Sequence, residues 1–146
     1  MIKNFEGFSG KPYLCPAGIP TIGYGTTYYK DGHNVSMSDG EITEEFASSI
    51  LIDTMEEFIS IVNILTRKVV LSQNQFDALV SFAYNLGTGA LAGSTLLKKV
   101  LANPIDPSIK DEFAKWIYAG KKQVSPGLAV RRASEAALYF NDDNND

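Results

Sequence analysis

Between residues 7 and 32 glycine or proline stands at Gly7, Gly10, Pro12, Pro16, Gly18, Pro20, Gly23, Gly25 and Gly32, so no helix of ordinary length can run through this part of the chain. Tyr, Thr, Ile and Val fill the gaps, and from Lys11 to Val35 the pattern predicts a small antiparallel sheet with tight turns. The Asp-Gly pair of KDGHN, residues 30 to 34, marks one of those turns. Glycine adds no buried side chain and costs backbone entropy when ordered. So many in so short a run point to a backbone that turns sharply and stays open to a ligand.

The pattern on either side is helical. MIKNFEG reads as a short helix with Ile2 and Phe5 on one face and Gly7 as its stop, which leaves Glu6 at the helix end. Thr43 is an N-cap for a helix reaching Leu65, with Glu44 and Glu45 complementing its dipole. Phe46, Ile50, Leu51, Met55, Phe58, Ile59, Val62 and Leu65 recur at three and four and predict its buried stripe, with Asp53, Glu56 and Glu57 turned away. Ser72 and Gln75 form a capping box that opens an apolar helix ending at Gly87, and GTGALAG is expected to be a loop. Further helices are expected over residues 95 to 102, 108 to 118 and 127 to 140, the last opened by Ser125 and Pro126. The expected fold is therefore α+β. A β lobe (8 to 42) is joined by a connecting helix (43 to 66) to an all-helical lobe (67 to 141), in a single domain with a disordered tail (142 to 146). The expected binding site is a cleft between the lobes.

Composition removes several classes of function. The 146 residues are 45% hydrophobic, enough for one core-bearing domain. Residues 1 to 66 hold three basic and nine acidic side chains and residues 67 to 146 hold ten and eight, with no dense basic run to grip a nucleic acid. Cys15 is the only cysteine, so no intrachain disulfide can form. His33 is the only histidine and reads as a turn residue; no metal-ligand spacing accompanies it, and neither metal nor cofactor is expected. Apolar runs are interrupted by charge, and the first residues carry no signal-peptide core, so stable membrane insertion is not expected.

Glu6, Cys15 and Thr21 lie with eight residues between the first two and five between the second two. They come from a helix end, a strand and its neighbouring strand, so a hairpin could gather an acid, a polarisable group and a hydroxyl round one point. Cleaving a glycosidic bond needs such an arrangement: a protonated carboxyl for the leaving oxygen, and a second group that holds water or attacks from the opposite face.

The flanking residues extend the pattern. FEGFSGKPYLCPAGIPTIGYG, then QFDALVSFAYNLGTGALAGSTLLKKV at 75 to 100, then KWIYAGKKQVSPGLAVRRASEAALY at 115 to 139 resemble, in order, the bacteriophage lysozymes, or endolysins, of the phage-type muramidase family. The resemblance implies hydrolysis of the bond between N-acetylmuramic acid and N-acetylglucosamine in peptidoglycan, with inversion at the anomeric centre. Glu6 matches the family's catalytic acid, Cys15 the second catalytic position, where many members carry Asp and a subset Cys, and Thr21 the third. Tyr84 and Asn85 match a cleft wall that binds sugar faces and acetamido groups. Many relatives carry His directly after GYG; this chain has Thr26, which puts a side-chain bond anchored there in question.

Each residue also has a physical reading of its own. Phe5 and Phe8 beside Glu6 would raise its pKa and keep the acid protonated, whereas a solvent-facing glutamate at a helix end is the plain alternative. Cys15 could orient water, attack as thiolate or simply fill space beside Thr21; water placement by Cys15 and Thr21 together fits an inverting reaction. Strand threonines such as Thr21 are often packing residues. Gly23 and Gly25 would let the backbone approach sugar rings, with Tyr24 facing the cleft. Tyr84 reads equally as core, Trp116 as core, and Arg131 or Arg132 either as a partner orienting Glu6 or as a surface pair. Two rivals remain: a lytic transglycosylase, which needs a single acid, and a wall-binding module without catalysis. The expected partner is the glycan strand, bound by a monomer made in the host cytoplasm and acting at the wall, in the periplasm of a Gram-negative host. With five residues before Glu6, release is expected through a holin pore without direct binding, or after removal of an upstream segment.

Overall fold

The glycine-punctuated segment folds as a two-stranded antiparallel ribbon. In a computed structural model, which describes residues 1–119 and 123–141, the chain begins with helix α1 (Ile2–Glu6) and strands β1 (Ser9–Leu14) and β2 (Pro20–Gly23). There follow helices α2 (Glu44–Leu65), α3 (Gln73–Leu86), α4 (Thr88–Ala92), α5 (Thr95–Ala102), α6 (Ile109–Ala114) and α7 (Pro126–Tyr139). The tail expected to be disordered, 142 to 146, lies outside the described residues. The chain divides into two compact units, Met1–Glu57 and Phe58–Asp146, with the boundary inside α2.

In the first unit β1 and β2 pair Tyr13 with Thr21 and Leu14 with Pro20, and an irregularity between Ser9 and Tyr13 shifts the register toward the Ser9–Gly23 pair. The turn between them is closed by Cys15 N–H to the Ile19 carbonyl (3.1 Å) and Gly18 N–H to the Cys15 carbonyl (2.8 Å). Past β2 the expected sheet reduces to isolated bridges, Ile22 with Thr26 and Tyr28 with Asn34. The Asp-Gly turn forms as predicted, with Gly32 at φ 92° donating to the Tyr29 carbonyl at 2.9 Å.

Helix α2 begins where Thr43 Oγ1 accepts the Phe46 N–H at 3.1 Å. Its buried positions differ from the expected stripe. Ala47, Ile50, Leu51 and Val62 are buried, while Phe46 is 51% exposed and Ile59 39% exposed. Counting large apolar residues overlooks Ala47, yet a Cβ on Gly23 would stand 3.0 Å from the Ala47 Cβ, so only a small side chain fits beneath β2. Phe46 instead lines an open groove of about 720 Å³ with Tyr29, Ile42 and Asp53.

The second unit is helical. The capping box is made as predicted: Ser72 Oγ accepts Gln75 N–H at 3.1 Å and Gln75 Oε1 accepts Ser72 N–H at 2.9 Å. Residues 88 to 92, expected as loop, form α4, because Leu91 is fully buried and its N–H reaches the Gly87 carbonyl at 3.3 Å. One buried leucine outweighs the poor helix propensity of its small neighbours. The helix expected over 108 to 118 stops at Ala114; Tyr118 then pairs with Val124, and Ser125 N–H bonds the Ile117 carbonyl at 2.8 Å. Phe82 is the centre of the core, edge-on to Phe113 at 6.0 Å and to Trp116 at 5.4 Å.

Candidate active site

Glu6 is the last residue of α1, which ends as Gly7, at φ 65°, donates its N–H to the Lys3 carbonyl at 2.9 Å. Its partly exposed side chain folds back against the tight turn that follows β2, where Ile22 and Thr26 exchange two backbone hydrogen bonds of 2.9 Å. Gly25 lies in that turn at φ 77°, and a Cβ placed on it would stand 2.6 Å from Glu6 Oε2. The bare sides of Gly25 and Gly23 are therefore taken by Glu6 and Ala47, where the sequence suggested an approach to sugar.

Cys15 opens the hairpin turn and is partly exposed. Burial alone would push its thiol up, but N–H groups of Ile19 and Ala17 and the Thr21 hydroxyl outweigh it and hold the thiol below its ordinary value. Thr21 is 2% exposed and its Oγ1 donates to the Ile19 carbonyl at 2.8 Å. A hydroxyl so placed has a lone pair for the neutral thiol; to favour the thiolate it must turn its one proton toward sulfur.

Tyr13, not singled out from the sequence, ties these residues together. It is the cross-strand partner of Thr21, and its hydroxyl is held above the ordinary value by burial first, then by the negative charges of Glu6 and Cys15. Tyr13 thus stays a neutral donor within electrostatic reach of both. Its place opposite Thr21 follows from the hairpin register, in which directly opposed residues share a face, and the sequence did not give that register.

Tyr24 takes a different place from the expected one. It is 4% exposed, its hydroxyl donates to Glu44 Oε1 at 2.7 Å, and Lys3 Nζ lies 5.1 Å from its ring centroid. Phe8, expected as a wall for Glu6, has its ring 5.7 Å from that of Tyr24 and is 42% exposed. Thr26, in the position after GYG, is buried, and its Oγ1 makes no hydrogen bond to protein. His33 sits in its turn with Nδ1 2.7 Å from Asp31 Oδ2. Among the described residues no cluster of His, Cys, Asp or Glu is placed to hold a metal ion.

In the second unit Tyr84 packs edge-on against Phe58 at 5.4 Å, and Asn85 Oδ1 accepts from Arg132 Nη2 at 2.9 Å. The surface-pair reading of the arginines fails, because Arg131 and Arg132 are 5% and 1% exposed. Both gather on Glu135, which is fully buried: Oε2 accepts from Ser81 Oγ at 2.5 Å, Arg132 Nη2 at 3.1 Å and Arg131 Nε at 3.4 Å, while Arg132 Nε lies 2.7 Å from Oε1. Burial pushes the Glu135 carboxyl up, against the Arg132 charge, the Ser81 hydroxyl and the Arg131 charge. Glu135 stands three and four residues after the two arginines, a spacing from which the cluster could have been read.

A family model described as phage lysozyme matches residues 3–135. An endolysin of Acyrthosiphon pisum secondary endosymbiont phage 1 is 39% identical over 142 residues, 95% of this chain and 92% of that protein. The endolysin of Bacillus phage B103 is 43% identical over 145 residues, 96% of this chain, which spans 51% of that relative's length. Among solved structures, an endolysin from Escherichia coli O157:H7 phage FAHEc1 superposes with a TM-score of 0.84 at 42% identity, over 96% of this chain and 88% of that one. By fold and by sequence over most of its length, the chain belongs to the phage lysozyme family and is an enzyme of the lysozyme class.

Proposed function

We propose that the enzyme is a muramidase that hydrolyses the β-1,4 bond between N-acetylmuramic acid and N-acetylglucosamine, with Glu6 as general acid and inversion at the anomeric carbon. The observation that supports this reading is the first unit's hairpin, which pairs Tyr13 with Thr21 and turns at Cys15, with Glu6 folded against Gly25 just after its second strand. Protonated Glu6 gives its proton to the leaving oxygen as the glycosidic electron pair departs with that oxygen. A water held by Cys15 adds to the anomeric carbon and passes a proton to the thiolate, and Thr21 holds the thiol in place. Solvent then takes the proton from the Cys15 thiol and returns one to Glu6, which restores both groups. Tyr84 and Asn85 are proposed to contact sugar, with Arg132 fixing the amide of Asn85. No cofactor enters this scheme.

The lowered thiol pKa favours a second reading, in which Cys15 attacks as nucleophile and the product retains configuration. In both readings the enzyme works as a monomer, acting on the cell wall after release from the host cytoplasm. No helix among the described residues is long and apolar enough to cross a membrane.

The test is lysis of outer-membrane-permeabilised Gram-negative cells followed by turbidity. Glu6→Gln should lower the rate by about 10²- to 10⁴-fold, while Cys15→Asp stays active. Near-normal lysis by Glu6→Gln would remove the acid assignment. Proton NMR of the first product separates inversion from retention, and a thioether adduct seen by mass spectrometry would decide for the nucleophile. Muropeptides lighter by one water would instead identify a transglycosylase.

A further inference from the structure

Three atoms of the Glu6 side chain crowd the place where a side chain of residue 25 would begin. A Cβ there would stand 2.6 Å from Oε2, 2.9 Å from Cδ and 3.3 Å from Cγ. A contact with all three atoms cannot be relieved by turning the carboxyl about its own axis; the side chain as a whole has to leave. We propose that Gly25 is a positioning residue for the catalytic acid, its missing side chain forming the seat that fixes where the Glu6 proton is presented.

This inference rests on the reading of Glu6 as the acid, and its physical basis is a division of consequences. The colliding group is the far end of a flexible, partly exposed side chain, so the fold can accept a methyl at residue 25 by letting Glu6 swing away. What remains is the backbone strain of an alanine at φ 77°. Gly32, at φ 92° with no atom within 4 Å of a Cβ, carries comparable strain without the collision and lies outside the site. Stability should therefore respond alike at residues 25 and 32, and catalysis should respond only at 25. If Gly25 served instead to let the backbone approach a sugar ring, a methyl there would obstruct substrate and the loss would fall on KM.

Wild type, Gly25→Ala, Gly32→Ala and Glu6→Gln are compared by thermal melting and by kcat and KM on soluble, uncross-linked glycan strands. Gly25→Ala and Gly32→Ala are expected to melt within about 2 °C of each other, a few degrees below wild type. Gly25→Ala is expected to lose about a hundredfold in kcat at nearly unchanged KM, the scale of a catalytic group displaced by about 1 Å. Gly32→Ala should keep both constants. A Gly25→Ala enzyme with kcat within threefold of wild type, a loss confined to KM, or a melting point far below that of Gly32→Ala overturns the proposal. Glu6→Gln separates the two levels: if it stays active the acid assignment falls, and if it is dead while Gly25→Ala works normally, only the seat falls.

Discussion

Replacing Glu135 by Gln should destabilise the helical unit more than any other single loss of charge described above. The carboxylate is fully buried and offsets two guanidinium groups that are themselves 5% and 1% exposed, so glutamine leaves two cations in a dry interior facing an amide. Removing one partner of a buried ion cluster costs about 3–5 kcal/mol, because the surviving charge keeps its desolvation penalty and loses its counter-ion. At about 4 kcal/mol the unfolding equilibrium shifts roughly a thousandfold. In a chain of this size that lowers the melting temperature by roughly 8–16 °C, at about 2–4 °C per kcal/mol. With a urea m-value near 2 kcal/mol/M the midpoint falls by about 2 M. Trp116, the sole tryptophan, packs edge-on to Phe82 in the same unit, so its fluorescence during urea titration reads the unit in question. Ser81→Ala supplies the scale: it deletes one 2.5 Å hydrogen bond to the same carboxylate and should cost less, about 1.5–3 kcal/mol. A Glu135→Gln midpoint within about 0.5 M of wild type, or a smaller effect than Ser81→Ala, would refute the account of a dry, charge-balanced cluster.

Two further outcomes test the first unit. Tyr24→Phe removes the 2.7 Å hydrogen bond to Glu44 and should cost about 1 kcal/mol in thermal or urea melts without changing KM, whereas a rise in KM would restore Tyr24 to the sugar-binding surface. Because hydrogen bonds hold the Cys15 thiol below its ordinary value, more of it is thiolate at a given pH; the midpoint of its alkylation rate by iodoacetamide should lie on the acid side of a free thiol and move up in Thr21→Val. An unmoved midpoint in that variant would detach Thr21 from the thiol.

The α+β division was legible because its signals are local. Between residues 7 and 32 proline and glycine stand too close together for a helix of ordinary length, and the caps at Thr43, Ser72 and Ser125 mark helix starts by hydrogen bonds spanning three residues. The spacing of Glu6, Cys15 and Thr21, a helix end followed by one hairpin, is local in the same sense and gave a reason to expect that they meet. Where the reading slipped, a contact between distant segments had decided. Ala47 displaced Phe46 from the core because β2 comes too close for a larger residue, and Leu91 drew a glycine-rich segment into a helix by being buried.

By itself, then, the sequence determined where the backbone could be helical, where it had to turn, and which chemical groups one hairpin would carry. Tertiary structure alone decided what each bare or charged position faces: Gly25 against the Glu6 carboxyl, Tyr24 against Glu44, and Glu135 inward on Ser81. The physical reason is range. Backbone propensity and capping act over three or four neighbours and leave a trace in composition, while close packing and the pairing of buried charge act between segments tens of residues apart, where a linear pattern records only that the residues are present.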